Sequence, residues 1–430
     1  MKILRVVLLL LAGLPALAAA AAETAPFTAR ELAQGYREGV VIAKPRAAQR
    51  AVADAAEARE GLRLRRRWDR LDGMRLLELP PGESPPQAEA RLRATGRYEF
   101  VQRDTIRAAQ AVPNDPDFAS RQWPLRNDGS NNGIVGADIG ATRAWDVRSE
   151  APEIVVAVID SGVRYDHADL AANMWTNPRE IAGNNRDDDG NGYVDDVHGI
   201  NAIANNGNPL DDLGHGTHVA GIVGAVGNNG LGVAGVAWKV RLMALKFLRG
   251  GTGTSAGRGA TSDGIECIDY AIRHGAHIIN ASYGETGSTG FSNTELAAIT
   301  AARNAGVIFV AAAGNESANL DVSRHYPASF PLDNIVTVSA STRSETMSSF
   351  SNYGTTVDLL APGESILSVG YTNNTGTATL SGTSMAAPHV AGALALVKAQ
   401  FPGDTYRQVI NRVLSTVDPI TSFRGRVQTG

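Results

Sequence analysis

Ser381-Gly382-Thr383-Ser384-Met385-Ala386-Ala387-Pro388 leads directly into the apolar run Val390-Ala391-Gly392-Ala393-Leu394-Ala395-Leu396-Val397. That run is long and alanine-rich enough for a buried helix, which places Ser384 in or beside its first turn. The first N–H groups of a helix have no partner inside it, and the helix dipole is positive at that end. An oxyanion forming next to Ser384 would therefore be stabilised. Pro388 falls early in the helix, where a missing N–H costs least.

Two further stretches turn a capped helix into a candidate site. The β-branched run Ile154-Val155-Val156-Ala157-Val158-Ile159 ends in Asp160-Ser161-Gly162, so an aspartate closes a buried strand. Gly214-His215-Gly216-Thr217-His218-Val219-Ala220-Gly221 sets a histidine between glycines at the head of a small-residue helix. His215 and His218 are three apart and could face one way, but the glutamate of a zinc-protease helix is missing. A serine hydroxyl becomes a nucleophile when an imidazole takes its proton, and a carboxylate fixes that imidazole's tautomer. Asp160, His215 and Ser384 supply these three groups, in the chain order of one of the known serine-hydrolase arrangements.

The motifs Val158-Ile159-Asp160-Ser161-Gly162, His215-Gly216-Thr217-His218-Val219-Ala220-Gly221, Ala312-Ala313-Gly314-Asn315 and Gly382-Thr383-Ser384-Met385-Ala386-Ala387-Pro388 together resemble the subtilisin-like serine proteases, the subtilase family. The resemblance runs from about residue 115 to the C-terminus. It implies a secreted endopeptidase made as a self-processing zymogen, with Asp160, His215 and Ser384 as its triad. Asn315 follows the apolar Ala311-Ala312-Ala313 and Gly314. A side-chain amide there would donate to the developing oxyanion and stabilise the transition state more than the ground state. Ser282-Tyr283-Gly284 resembles the family's substrate-binding edge, where a peptide adds as an extra strand, and the resemblance assigns Gly314 to substrate binding too. The glycine-rich residues 250–257 would form a facing edge; they lack the GxGxxG spacing of a dinucleotide loop.

Alternating patterns support the fold. Residues 240–248, 276–280 and 307–312 read as strands, and 263–274, 294–304 and 405–417 as helices. Apolar strands separated by helices predict a doubly wound, mostly parallel α/β sheet covered on both faces, with the site at the carboxyl ends of its strands. The single cysteine, Cys267, excludes an internal disulfide and sits in a helical pattern as a small core residue.

Chain length, 430 residues, exceeds what one core usually holds. Residues 1–22 have a basic start, an apolar stretch and small residues near Ala18, the pattern of a secretory signal peptide; no later stretch is a membrane span. Residues 23–112 carry 17 Lys and Arg against 13 Asp and Glu, whereas the whole chain is at −4. A basic segment ahead of an acidic domain could dock by complementary fields. Arg63-Leu64-Arg65-Arg66-Arg67-Trp68 is too brief, in an acidic chain, to indicate nucleic-acid binding. Strands near 39–43, 74–79 and 98–102 and a short helix holding Ala88 and Leu92 predict a small α+β unit. By resemblance this is the propeptide, an intramolecular inhibitor and folding assistant, cut between about 104 and 115 to release residues 113–430 as the catalytic domain. A monomer acting on protein or peptide substrates is expected, with no organic cofactor.

Asp187-Asp188-Asp189-Gly190-Asn191-Gly192-Tyr193-Val194-Asp195-Asp196 sets oxygen ligands at alternate positions, Asp187, Asp189, Asn191, Tyr193 and Asp195, with glycine at the sixth. This matches the first half of a calcium loop. The twelfth position is His198, so Asp195 or Asp196 must close the site. The resemblance implies a second calcium site from Asp169, Gln122 and an asparagine, either Asn228 or Asn229.

Overall fold

A computed structural model describes residues 27–106, 111–251, 256–287, 290–420 and 423–429; the signal peptide expected over residues 1–22 lies outside these. The chain divides into two compact units, one up to Ala109 and one from Gln110 onward.

In the first unit four antiparallel strands run in the order Arg63–Trp68, Met74–Glu78, Tyr36–Pro45, Tyr98–Thr105. Helices Arg50–Arg59 and Pro85–Ala94 accompany them. Val41, Leu77 and Val101 of the strands close on Ala88 and Leu92 of the second helix, all without exposed surface. Ala88 and Leu92 thus share one buried helical face, as their spacing predicts. The arginine run is an edge strand, a role the sequence concealed. Arg63 and Arg65 meet Glu78, and Arg67 meets Asp54.

The second unit is built on seven parallel strands in the order Leu359–Pro362, Ile335–Ser341, Ile308–Ala312, Ile278–Ala281, Glu150–Asp160, Lys239–Lys246, Gly199–Asn201. This is the expected doubly wound α/β sheet. Period-two alternation decides its layers. Ile154, Val156 and Val158 face a core shared with helices His215–Gly224 and Thr383–Gln400. Val155, Ala157 and Ile159 face the other core, with helices Thr261–Arg273 and Asn293–Asn304. A strand buried on both faces has no polar alternation, which is why 154–159 reads as a continuous apolar run. Fully burying each such valine or isoleucine contributes about 1.5–3 kcal/mol.

The strand Glu150–Asp160 comes first in the sheet's sequence order. On one side the chain next lays down the edge strand Gly199–Asn201 and returns to insert Lys239–Lys246 beside Glu150–Asp160; afterwards it builds outward on the other side. The carboxyl end of this strand, at Asp160, is therefore the topological switch point where such folds open a crevice.

Candidate active site

Asp160 closes the strand Glu150–Asp160 with no exposed surface. Its carboxylate is held by its neighbour's backbone, Ser161 N–H donating to Oδ1 at 2.7 Å. His215 is the first residue of its helix, and its Nδ1 lies 2.8 Å and 2.9 Å from the two Asp160 oxygens. With Nδ1–H donating to the carboxylate, Nε2 is left as the proton acceptor. This close approach depends on Gly216. A Cβ there would meet the Gly162 carbonyl at 2.1 Å and the Asp160 Cβ at 2.9 Å.

The packing around His215 would by itself lower its pKa. The charge and hydrogen bond of Asp160 outweigh that, with Asp211 adding, and hold His215 above its ordinary value. His218 turns elsewhere. It is fully buried, with Nε2 3.0 Å and 3.1 Å from the carbonyls of Ile366 and Ala378. Burial pushes it down to about 4, so it stays neutral and structural. The two histidines do not form a metal pair.

Asp211 is a site residue that sequence reading missed. Buried at 6% exposure, it accepts from the Leu213, Gly214 and Thr217 N–H groups and from the Ser161 and Thr217 hydroxyls. It thus clamps the loop before His215, the first turn of the histidine helix and the residue after Asp160 into one unit. A lone aspartate in a loop carries no local pattern; only the capping logic of a helix start could have flagged it.

Ser384 is the second residue of helix Thr383–Gln400. Pro388 therefore falls beyond the first turn, deeper than the sequence suggested. Its missing N–H would have bonded the Ser384 carbonyl. The Ser282 hydroxyl takes that role, donating to Ser384 O at 2.9 Å. In return the Ser384 hydroxyl donates to Ser282 O at 3.1 Å rather than to His215. Asn315 accepts from Thr383 N–H at 2.9 Å and from the Thr383 hydroxyl at 3.0 Å, both at Oδ1. Its Nδ2 is thereby fixed as the free donor beside the serine helix.

His215, Ser384, Asn315, Ser282, Tyr283, Gly284 and Gly314 all line one cleft of about 530 Å³. Gly284 and Gly314 flank His325: a Cβ would come within 2.2 Å of its Nε2 at the first and 2.8 Å of its Nδ1 at the second. Of the glycine-rich stretch, residues 252–255 lie outside the described ones, but Gly257 lines the same cleft.

The acidic loop behaves differently from its sequence pattern. Asp187 and Asp189 converge with Glu180, their ligand oxygens within 4.8 Å of one another. Glu180 Oε1 accepts from the Asp188 and Asp189 N–H groups, while Oε2 is buried without a partner. An orphaned carboxylate oxygen beside two more carboxylates is a donor set that suits calcium. Asn191 donates its amide to Asp196, and Tyr193 packs edge-on against Tyr270. Asp196 has no exposed surface and accepts also from Asn177 and the Tyr270 hydroxyl. Asp195 caps the N–H groups of Gly183, Asn184 and Asn185. Neither residue joins the three-carboxylate cluster, and Glu180, seven residues upstream, does.

At the second cluster, Asn229 donates to Asp169 Oδ1 at 2.8 Å and Val233 N–H to Oδ2 at 2.9 Å. Burial first, and then the charges of Asp115 and Asp117, push Asp169 up to about 6. Gln122 is turned away, its amide exchanging two 2.8 Å hydrogen bonds with the Ala234 peptide. Asp115 lies close enough to Asp169 for its charge to act there. Its Oδ2 accepts from Asn228 N–H at 2.6 Å, and its Oδ1 is buried and unpaired.

Residues 151–426 match the model of the Subtilase family. The chain is 33% identical to Subtilisin-like protease 1 of Plasmodium vivax, over 84% of this chain and 59% of that protein. It is 35% identical to Thermitase of Thermoactinomyces vulgaris, over 72% of this chain and 93% of that one. A cold adapted subtilisin-like serine proteinase of known structure matches with 31% identity and a TM-score of 0.51, covering 65% of this chain and 90% of its own. The chain thus spans little more than half the length of the first of these relatives.

Proposed function

Because the chain belongs to the subtilase family, we propose that it is a secreted serine endopeptidase, made as a zymogen that cuts itself. The meeting of His215, Ser384 and Asn315 in one cleft, with the buried Asp160 behind His215, is the observation that carries this reading. A peptide pairs along Ser282–Gly284 and its N–H displaces the Ser384 hydroxyl from Ser282 O. Ser384 Oγ then attacks the scissile carbonyl while His215 Nε2 takes its proton. Asp160 holds the imidazole and stabilises its charge. Asn315 Nδ2 donates to the carbonyl oxygen as it becomes an oxyanion. In subtilisin itself, loss of such a donor costs roughly 10²- to 10³-fold in turnover. Protonated His215 returns its proton to the leaving amine, and water repeats the sequence on the acyl-enzyme.

Residues 1–22 direct export, 23–112 fold as inhibitory propeptide, and 113–430 form the catalytic domain, acting as a monomer. Glu180, Asp187 and Asp189 hold one calcium ion and Asp169 with Asp115 a second. Bound there, calcium cross-links loops and enters no chemical step.

Intact mass and N-terminal sequence of the secreted protein test the reading beside Ser384→Ala. Wild type should lose the segment before about residue 115, and the variant should retain it. Equal processing of both would assign the cut to another protease, and processing of neither would point to a noncatalytic or permanently inhibited protein.

A further inference from the structure

Three helices begin with a capping box, in which the third residue's side chain returns to the cap's backbone: Thr28 with Glu31, Ser84 with Gln87, and Thr405 with Gln408. Helix Asn293–Asn304 starts with the same residue pattern, and the Ser292 hydroxyl accepts from Glu295 N–H at 3.1 Å. Yet the Glu295 carboxylate does not return. It turns to the cleft that holds Ser384, where Tyr283 donates its hydroxyl to Oε1 at 3.3 Å.

Tyr283 belongs to the peptide-binding edge, and its ring stands edge-on to Phe247 at 4.6 Å between centroids. Glu295 is thus a carboxyl at the wall of a cleft, held by one phenol and one aromatic platform. Burial pushes it up to about 7. Among the described residues no Lys, Arg or His comes within ion-pair distance of it; Arg258 lines the same cleft without reaching it. Glu285 and Glu316 add negative charge to the lining. A partly desolvated carboxylate is costly unless paired, and no cation among the described residues pairs it.

We propose that Glu295 is a specificity-determining residue that pairs with a lysine or arginine side chain of the substrate, on the amino-terminal side of the scissile bond and beyond the residue whose carbonyl is attacked. The placement follows from the edge, which starts at Ser282 against Ser384 and leads through Tyr283 toward Glu295. The inference rests on the peptidase reading above and deepens it.

The test uses the mature enzyme and peptides carrying Ala, Lys, Arg or Glu at each position before the scissile bond. At one position Lys and Arg should exceed Ala in kcat/KM by roughly tenfold or more. Glu295→Gln should collapse that ratio, with labelling of Ser384 by a sulfonyl fluoride showing that the variant is folded. Lowering the pH below 7 should weaken the preference in wild type as the carboxyl protonates. A wild type that shows no basic preference at any position overturns the inference, as does Glu295→Gln retaining one. Failure of wild type to cut any peptide, or to be labelled, overturns the peptidase reading beneath it.

Discussion

His215 can act as a base only when neutral, so the acid limb of the pH–rate profile reports its pKa. Asp160 holds that pKa above the ordinary histidine value of about 6.5, and Asp211 adds to the effect from the start of the helix. Removing either negative charge makes the imidazole easier to deprotonate. Asp211→Asn is therefore expected to move the acid limb of kcat/KM toward lower pH. Asn keeps one acceptor oxygen where Asp has two, so it cannot serve both Thr217 N–H and the Leu213 and Gly214 N–H groups, and the plateau should fall as well. A lower plateau with an unmoved limb would reduce Asp211 to a structural cap. The difference in legibility between these residues has a physical origin. Asp160, His215, Asn315 and Ser384 each end or begin an apolar element, so the chain around them announces their place. Asp211 and Glu180 sit in irregular loops where no periodic apolar pattern marks them, and Asp115 meets its partner Asn228 across more than a hundred residues.

Gly216 shows how one backbone position governs an element. Alanine would favour an isolated helix by about 1 kcal/mol over glycine. Here its Cβ would sit 2.1 Å from the Gly162 carbonyl, a backbone atom that cannot rotate away. Overpacking of that kind costs about 1–3 kcal/mol or more, so the clash outweighs propensity and the helix must move off the strand. Gly216→Ala is expected to lower both the melting temperature and kcat, because His215 moves with its helix. A variant as active and as stable as wild type would show that the strand–helix contact is looser than described. Elements with one decided pattern were readable: 307–312 and 294–304 match Ile308–Ala312 and Asn293–Asn304 within a residue at either end. Arg63–Trp68 was not, since most of its residues are exposed on both faces and no period survives. Ile335–Ser341 is buried up to its last residue yet carries Thr337 and Ser339, whose hydroxyls find the carbonyls of Ala328 and Asn352. Polar residues satisfied by distant partners erase an apolar run.

At the scale of the molecule, the residues after 112 carry a net negative charge, because the segment before them is basic while the whole chain is at −4. Part of that charge is gathered where no lysine or arginine among the described residues pairs with it. Glu180, Asp187 and Asp189 hold three carboxylates together with one oxygen orphaned, and Asp115 leaves another orphan near Asp169. Such clusters destabilise the folded chain unless an ion enters, and an ion that binds only the folded state stabilises it in proportion to RT ln(1 + [L]/Kd). Calcium at a hundred times its dissociation constant would then add about 2.7 kcal/mol per site. The mature enzyme is expected to melt higher as calcium is raised and lower after chelation with EGTA. Glu180→Gln should flatten part of that dependence while removing mutual repulsion, so its melting temperature without calcium should equal or exceed that of wild type. Wild-type melting that ignores calcium would leave the acidic loop as a hydrogen-bonded turn. A drop in the calcium-free melting temperature of Glu180→Gln would mean that its contacts to the Asp188 and Asp189 N–H groups outweigh the repulsion.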